Sequence, residues 1–332
     1  MITSNISSLF GSLNKKPTQP VPTPPKDAMF RFLSYYFDRS TYTATFVYQG
    51  IDNIIFTEKV YFAPKPGTNT SSFNLFDDPS LNQLLDQAMF LAFILIGTSY
   101  YKAHPTANIR LDRPLDDFQA SFFSTIYQEG LSQYAFENRL TRQNLATFRP
   151  TPGFQNKPAI EYHGHGVLAL QSGGKDSLLV AELLNGSKIS FVPWYVSSSP
   201  DRSHPTIIDH LDDNFNHQKA SIVYRQIDHP HLQQTGGHNG HVPVTFIVES
   251  LALIQAILNN QDIIITSIGR EGEEPHAMIG DLPVNHQWSK TWQAEQLMTE
   301  YLKRYLSPNL LLGAPIRHLS ELRIADLFVQ KC

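Results

Sequence analysis

The sequence predicts an α/β protein with a doubly wound, mainly parallel sheet, preceded by an α+β region. Three observations give this prediction. Short apolar runs alternate with helical patterns between residues 166 and 267, as in parallel sheets covered by helices. A glycine-rich loop separates the first of these runs from the helix that follows it. Residues 41–48 show the two-residue alternation of a strand with one buried face.

The N-terminal part of the chain is predicted to be a disordered leader followed by an α+β domain. Residues 1–28 form the leader, because five prolines between positions 17 and 25 exclude a regular helix or a central strand. Residues 29–150 form the domain. Its predicted strands are residues 30–37, 41–48 and 54–62, and its predicted helices are residues 80–102 and 115–128. A polar loop, residues 64–72, separates strands from helices.

The second predicted domain comprises residues 158–332, after a linker rich in proline and glycine at residues 149–157. Strands and helices alternate in its first half, which is the pattern of a parallel sheet. The predicted strands are residues 166–170, 189–196, 220–226 and 262–267, and the predicted helices are residues 177–184, 207–215 and 244–258.

Composition excludes several classes of protein. Hydrophobic residues make up 41% and charged residues 17% of the chain, which is enough apolar material for a sizeable core. A net charge of -4 argues against a general nucleic-acid binder. The single cysteine, Cys332, excludes disulfide frameworks, all-cysteine zinc sites and mechanisms that need two thiols. The most apolar run, residues 88–96, is too short to span a bilayer and predicts a buried helix in a soluble, cytoplasmic protein.

The strongest functional signal is the segment Ser172-Gly173-Gly174-Lys175-Asp176-Ser177, between a predicted strand and a predicted helix. Adjacent glycines allow a tight turn close to a phosphate, and the start of the helix offers unpaired N–H groups to the anion. The two serines add hydroxyl groups and Lys175 adds a positive charge. Asp176 suits Mg²⁺, which prefers a carboxylate together with phosphate oxygens. The loop is not a Walker A motif, because Ala169 and Asp176 stand where that motif has Gly and Ser or Thr.

Two further segments are dense in polar residues. Residues 236–245 form a glycine-rich stretch that leads into an apolar helix, and residues 267–290 follow a predicted strand. We expect both to lie beyond the carboxyl ends of strands, where ligands bind in open α/β sheets.

These segments resemble known proteins at two levels. Ser172 to Ser177 is similar to the Ser-Gly-Gly-x-Asp-Ser signature of the ATP pyrophosphatase (PP-loop) superfamily, which implies a Rossmann-like fold of the PP-loop/HUP type. The whole set resembles the ATP-dependent UDP-N-acetylmuramoyl-L-alanyl-L-glutamate epimerases (the MurL family). The matching stretches, in chain order, are Gly97 to Lys102, Ser172 to Ser177, Gly240 to Thr245, Val284 to Lys290 and Leu319 to Ile324.

The resemblance implies a reaction and a set of roles. The terminal L-Glu of UDP-MurNAc-L-Ala-L-Glu would be inverted to D-Glu for peptidoglycan synthesis, through an acyl-adenylate, with ATP converted to AMP and pyrophosphate. Ser172 to Ser177 would hold the pyrophosphate, and Asp176 the Mg²⁺. The candidate acid/base residues are His241, His286 and Lys290. The candidate substrate-binding residues are Lys102, Arg270 and Asn285. The expected partners are ATP and the sugar-nucleotide dipeptide, with no nucleic acid and no membrane.

Other interpretations stay open at the level of the sequence. The phosphate loop also fits another adenylating ligase, a tRNA-modifying enzyme or a non-catalytic nucleotide-binding paralogue. His241, Lys290 and Lys102 each have a plain structural alternative, in helix-start bonding or solvation. Close histidine pairs at 163/165, 229/231 and 238/241 suggest zinc, but they lack a clear third ligand. Glu271, Glu273 and Glu274 suggest either a second Mg²⁺ site or a solvated loop.

Overall fold

The computed structural model describes residues 27–63, 78–215, 219–270 and 272–332. Most of the predicted leader, the polar loop at 64–72 and Glu271 therefore lie outside the described residues. The strands are β1 (Phe30–Asp38), β2 (Thr43–Gln49), β3 (Ile55–Tyr61), β4 (Ile109–Leu111), β5 (Val167–Leu170), β6 (Phe191–Ser197), β7 (Ser221–Gln226), β8 (Ile263–Ile265), β9 (Ala277–Ile279), β10 (Leu282–Val284) and β11 (Leu311–Gly313). The helices are α1 (Pro79–Tyr101), α2 (Asp117–Gln128), α3 (Ser132–Glu137), α4 (Lys175–Gly186), α5 (Thr206–Asn214), α6 (His229–Gln234), α7 (Val244–Leu258), α8 (Trp292–Tyr301) and α9 (Glu321–Lys331).

Nine strands form one sheet in the order β11-β8-β5-β6-β7-β3-β2-β1-β4. The five strands β11, β8, β5, β6 and β7 are mutually parallel. From β5 the chain proceeds to β6 and β7 on one side and later to β8 and β11 on the other. This reversal of direction places the topological switch point between β5 and β8. The prediction of an α/β fold with a mainly parallel sheet is confirmed.

The two predicted domains meet within this sheet. β3 pairs antiparallel with β7 through Lys59, Val60 and Tyr61, so the N-terminal strands extend the parallel part of the sheet. The positions of the domain boundaries stay a prediction.

A buried ion pair lies at the junction of β3 and β7. Arg225 donates to both carboxylate oxygens of Glu58, at 2.6 and 3.1 Å, and to the hydroxyl of Ser99 at 3.0 Å. The Tyr100 hydroxyl donates to Glu58 at 2.7 Å. Because both carboxylate oxygens of Glu58 and two nitrogens of the Arg225 guanidinium have partners, hydrogen bonds offset part of the desolvation of the pair.

α1 is the central helix of the molecule. Its N-cap is Asp78, whose side chain accepts from the Ser80 N–H, and Pro79 occupies the first turn. Every residue of the run 88–96 is buried, as predicted. By length and composition α1 could cross a membrane, but 78% of its most apolar window is buried inside the protein. Burial in the core therefore accounts for its apolar character.

The periodicity of the sequence predicted most of the long helices and strands at the positions where the structure has them. α7 begins and ends where the sequence predicts, at Val244 and Leu258, and β1, β5 and β7 lie within one residue of the predicted bounds. The elements that were not predicted are β4, β9, β10, β11, α3, α6, α8 and α9. The four strands among them have three residues each. A run that short carries no periodicity, so tertiary packing decides it.

Candidate nucleotide and substrate site

The phosphate loop has the local structure that its sequence predicts. β5 ends at Leu170 and α4 begins at Lys175, with Gly174 as N-cap. Gly173 has φ +79°, and a Cβ atom there would lie 3.1 Å from Cβ of Pro205 and 3.2 Å from Cγ2 of Ile207. Glycine is therefore favoured both by backbone conformation and by space. Among the described residues no side chain caps α4, so the first N–H groups of this helix can receive an anion.

Lys175 lies between two carboxylates in this structure. Its Nζ donates to Asp176 Oδ1 at 2.6 Å and to Glu321 Oε2 at 2.7 Å. Both carboxylates therefore converge on one cationic atom beside the loop. Glu321 comes from the first turn of α9, and the sequence analysis did not select it. Its place in the stretch Leu319 to Ile324, which resembles the epimerase family, was the available signal.

The two loop serines differ. Ser172 is exposed, whereas Ser177 is buried. The Ser177 hydroxyl donates to the carbonyl of Gly174 at 2.9 Å. Ser177 thus closes the turn in this structure, and Ser172 is the serine that can reach a ligand without rearrangement.

The loop after β8 lies across the switch point from the phosphate loop. Its Arg270 N–H donates to the carbonyl of Leu319 at 2.8 Å, and the Arg270 side chain is exposed. Two buried polar side chains mark the ends of β5 and β8: Gln171 and Thr266 are each 3% exposed. Within the described ranges the Gln171 amide and the Thr266 hydroxyl have no hydrogen-bond partner. Unpartnered buried polar groups are costly, so this edge of the sheet is a candidate ligand site.

The glycine-rich stretch 236–245 comes after β7 in the chain, but the short helix α6, which the sequence did not reveal, lies between them. Its place beyond the carboxyl end of a strand stays a prediction. The stretch packs on the end of α1, where the His238 N–H donates to the carbonyl of Ala103 at 2.8 Å. Lys102 Nζ donates to Asn239 Oδ1 at 2.8 Å and to the carbonyl of Gly240 at 3.2 Å.

The predicted acid/base residues are brought together. Burial and, after it, electrostatic interaction with His286, Lys102 and Lys290 together lower the pKa of His241 to about 4. His241 is therefore neutral at pH 7. The residue that follows α1, the stretch before α7 and residues 284–290 thus place Lys102, His286 and Lys290 around the neutral His241, and these four residues are called the cationic cluster below.

Asn285 shapes the segment that carries His286 and Lys290. Its carboxamide oxygen accepts from the Gln287 N–H at 2.8 Å, and its nitrogen donates to the carbonyl of Gly272. Its own N–H donates to the Ser132 hydroxyl at 3.1 Å. With both ends of its side chain engaged inside the protein, Asn285 positions the turn; substrate binding by this residue stays a prediction.

A partly buried arginine, with 13% of its side chain exposed, links the loop after β8 to the Lys290 turn. Arg317 donates to the carbonyls of Gly269 and Lys290, at 3.2 and 2.6 Å, and to the Glu295 carboxylate, at 2.8 Å from Nε. Arg317 therefore fixes the distance between the two loops that carry Arg270 and Lys290. The sequence analysis did not identify it.

Glu249 is a second carboxylate near Arg317, in addition to Glu295. It lies in α7 and is 4% exposed. Burial and, after it, the charge of Glu295 raise the pKa of Glu249 to about 8, against the opposing charge of Arg317. Since Glu295 already pairs with Arg317, Glu249 holds its proton at neutral pH.

We expect Glu249→Gln to stabilise the protein at pH 7 and to have little effect at pH 4.5. The folded state keeps the Glu249 proton up to about pH 8, whereas the unfolded chain loses it near the ordinary glutamate pKa. Below the ordinary glutamate pKa, both states keep the proton and Glu249 does not lower the free energy of unfolding. As pH rises from there towards 8, the unfolded chain releases the proton and the folded state does not, so the free energy of unfolding falls. Glutamine keeps the neutral shape without titrating, so the gain at pH 7 should be roughly 3 kcal/mol. Urea unfolding at the two pH values measures it.

Glu300→Gln is the control, because Glu300 is a half-exposed carboxylate on α8 whose partner Arg304 is also exposed. It should show no such pH-dependent gain. An equal change in the free energy of unfolding for Glu249→Gln at both pH values would contradict the raised pKa.

Gly237→Ala should displace the stretch that carries Asn239 and His241. A Cβ atom at Gly237 would lie 2.1 Å from the carbonyl oxygen of Ala103. That oxygen is backbone and accepts the His238 N–H, so it cannot move aside without breaking a contact. We expect a loss of about 1–3 kcal/mol in the free energy of unfolding. Gly186→Ala is the control, because a Cβ there meets nothing within 4 Å; equal stability of the two variants would contradict the prediction.

Comparison with known proteins decides the family. Residues 23–311 match the family model described as the MurL N-terminal domain. The chain belongs to this family. The match spans the phosphate loop, the cationic cluster and the loop after β8. No solved structure matches the chain.

Curated relatives of this MurL-family chain carry the name of an epimerase. A protein of a Micromonospora species is 30% identical over 307 residues, and one of Xanthomonas oryzae pv. oryzae is 29% identical over 309 residues. Both are named UDP-N-acetyl-alpha-D-muramoyl-L-alanyl-L-glutamate epimerase. Each alignment covers 91% of this chain but only 65% and 64%, respectively, of the relative. The chain thus spans slightly less than two thirds of the length of these relatives.

Proposed function

We propose that this protein takes part in the ATP-dependent inversion of the terminal L-Glu of UDP-MurNAc-L-Ala-L-Glu, releasing AMP and pyrophosphate. One observation carries the proposal. Arg317 joins the Lys290 turn of the cationic cluster to the loop after β8, and β8 lies next to β5, the strand that leads into the phosphate loop. The names of the relatives support the choice of substrate.

The chemistry explains why both parts are needed. Removing the α-proton of a free carboxylate builds a second negative charge on the same group. Adenylation removes the first charge, so the enolate that forms can be stabilised by nearby donors. A base then takes the proton and an acid returns one to the opposite face. Hydrolysis of the acyl-adenylate releases AMP.

Roles in this reaction can be assigned to residues of the chain. The N–H groups at the start of α4, with Ser172 and Lys175, bind the pyrophosphate oxygens. The cationic cluster binds the carboxylates of the glutamyl group and raises the acidity of its α-carbon. His241 stays neutral at pH 7 and can accept a hydrogen bond. Arg270, exposed beyond β8, can bind a phosphate of the substrate.

The carboxylates at the loop fit Mg²⁺. Asp176 and Glu321 converge on the Nζ of Lys175, so these two carboxylates would hold a Mg²⁺ ion beside the phosphates. When bound, Mg²⁺ neutralises charge on the phosphates and orients them. Within the described ranges no three His, Cys, Asp or Glu side chains are grouped to hold a metal, so the phosphates themselves would supply further ligands. We infer a cytoplasmic location, because ATP and sugar-nucleotide precursors are the proposed substrates.

The test is an assay with ATP, Mg²⁺ and UDP-MurNAc-L-Ala-L-Glu that measures AMP, pyrophosphate and glutamate chirality together. The expected result is AMP that depends on the dipeptide substrate, with D-Glu formed. AMP without inversion would indicate another adenylating enzyme. ADP as the nucleotide product, or no nucleotide turnover, would refute the proposal.

A further inference from the structure

The side chain of Lys102 is buried and held at a fixed place beside the site. Lys102 directly follows α1 and is 9% exposed. Its N–H donates to the carbonyl of Thr98 at 3.3 Å, and its own carbonyl accepts from the Tyr134 hydroxyl at 2.6 Å. These two bonds fix the backbone from which the Lys102 side chain extends, which favours proton transfer at a defined position.

The partners of the Lys102 amine are neutral. Asn239 Oδ1 and the carbonyl of Gly240 accept from Nζ, and in the described part of the chain no carboxylate pairs with it. An ammonium group has three protons to donate, whereas a neutral amine has two and a lone pair. Two acceptors leave one position on the nitrogen open, which is an N–H in the ammonium form and the lone pair in the neutral form.

One neighbouring charge acts on the Lys102 amine in the same direction as burial. It is that of Arg225 in β7, which is itself paired with Glu58 of β3. His241 and His229 also lie close enough for the charge of Lys102 to lower the pKa of each. Burial first, and Arg225 second, lower the pKa of Lys102 to about 8. A group with this pKa can both accept and donate a proton near neutral pH.

We propose that Lys102 is one of the two groups that transfer the α-proton, rather than an anion clamp; this rests on the proposed function. The neutral amine takes the proton from the α-carbon of the adenylated glutamyl group and becomes an ammonium. The electron pair of the broken C–H bond passes to the acyl oxygen as an enolate. A second protonated group of the cluster, for which Lys290 is the candidate, returns a proton to the opposite face.

Lys102→Arg separates the two roles. Arginine keeps the positive charge and hydrogen-bond donors but does not release its proton. Arginine could still bind an anion at this position, but it could not transfer a proton. Lys303→Arg is the control, because Lys303 is exposed on the segment after α8.

The experiment measures two steps separately. Exchange of labelled pyrophosphate into ATP reports adenylation, and deuterium uptake from D₂O at the glutamyl α-carbon reports proton transfer. The second assay is run on UDP-MurNAc-L-Ala-L-Glu and on its D-Glu epimer. For Lys102→Arg we expect adenylation to continue while deuterium uptake from one of the two epimers falls by about 100-fold or more. Uptake from the other epimer should persist, because the second group serves that face.

Three results would overturn the assignment. Deuterium uptake from both epimers at the wild-type rate would show that Lys102 transfers no proton. Loss of adenylation in Lys102→Arg would indicate a binding role. Absence of adenylation in the wild type would refute the proposed function itself, so the two failures are distinguishable.

If the arginine side chain does not fit at position 102, chemical rescue of a smaller variant tests the same assignment. Lys102→Ala should regain deuterium uptake with added ethylamine, in proportion to the neutral amine. Tetramethylammonium, which carries a positive charge but no acidic proton, should not restore deuterium uptake. Equal rescue by both cations would show that only charge matters at this position and would overturn the proposal.

Discussion

Asp176→Asn should reduce substrate-dependent AMP formation by about 100-fold or more, because a carboxylate that can hold Mg²⁺ against the phosphates contributes several kcal/mol. Asp176 lies in the first turn of α4, 2.6 Å from the Lys175 amine. Asparagine keeps its size but loses its charge. Calorimetric titration with ATP should show that the variant has lost the Mg²⁺-dependent part of nucleotide affinity.

Asp112→Asn is the matched control, because Asp112 is an exposed carboxylate that pairs only with the exposed Arg110 among the described residues. It should leave AMP formation and Mg²⁺-dependent binding unchanged. If Asp176→Asn bound ATP with undiminished Mg²⁺ dependence, Asp176 would have no part in the metal site.

Arg225→Met should lower the free energy of unfolding by about 3–5 kcal/mol, the usual cost of leaving a buried charge unpaired. Glu58 is fully buried and receives two hydrogen bonds from Arg225. Its remaining side-chain donor is the Tyr100 hydroxyl. Because the pair links β3 to β7, its loss should also weaken the junction between the N-terminal strands and the parallel strands. Urea unfolding monitored by fluorescence measures the change.

Two variants test the cause of that loss. Replacing the pair together, as Arg225→Met with Glu58→Leu, should recover most of the stability, since no unpaired charge remains. Arg110→Met removes one partner of an exposed pair and should change stability little. A single Arg225→Met variant as stable as Arg110→Met would show that the buried pair does not hold the junction.

Local sequence pattern determined the phosphate loop and the elements around it. The strand, the two glycines and the helix of residues 166–184 are contiguous, and each is specified by residues within a few positions. The same is true of α7 and of the buried run in α1. For these segments, period and turn chemistry agree with the final packing.

The sequence predicted the residues of the cationic cluster only in part. His241, His286 and Lys290 were selected because of the strings that surround them, and the structure brings them together. The setting of Lys102 could not be foreseen. Its two acceptors lie 137 and 138 residues away in the chain, and its burial follows from the packing of the stretch 236–245 on α1.

By itself, the sequence determined the fold class, the phosphate loop and the segments that carry the candidate acid/base groups. The tertiary structure alone decided which distant residues meet. It joined β3 to β7 through Glu58 and Arg225, 167 residues apart, placed Glu321 beside Lys175, and set the proton affinity of Lys102, His241 and Glu249. The physical reason is that periodicity and turn chemistry act over a few residues, whereas burial and electrostatic interaction depend on neighbours that the chain supplies only after it has folded.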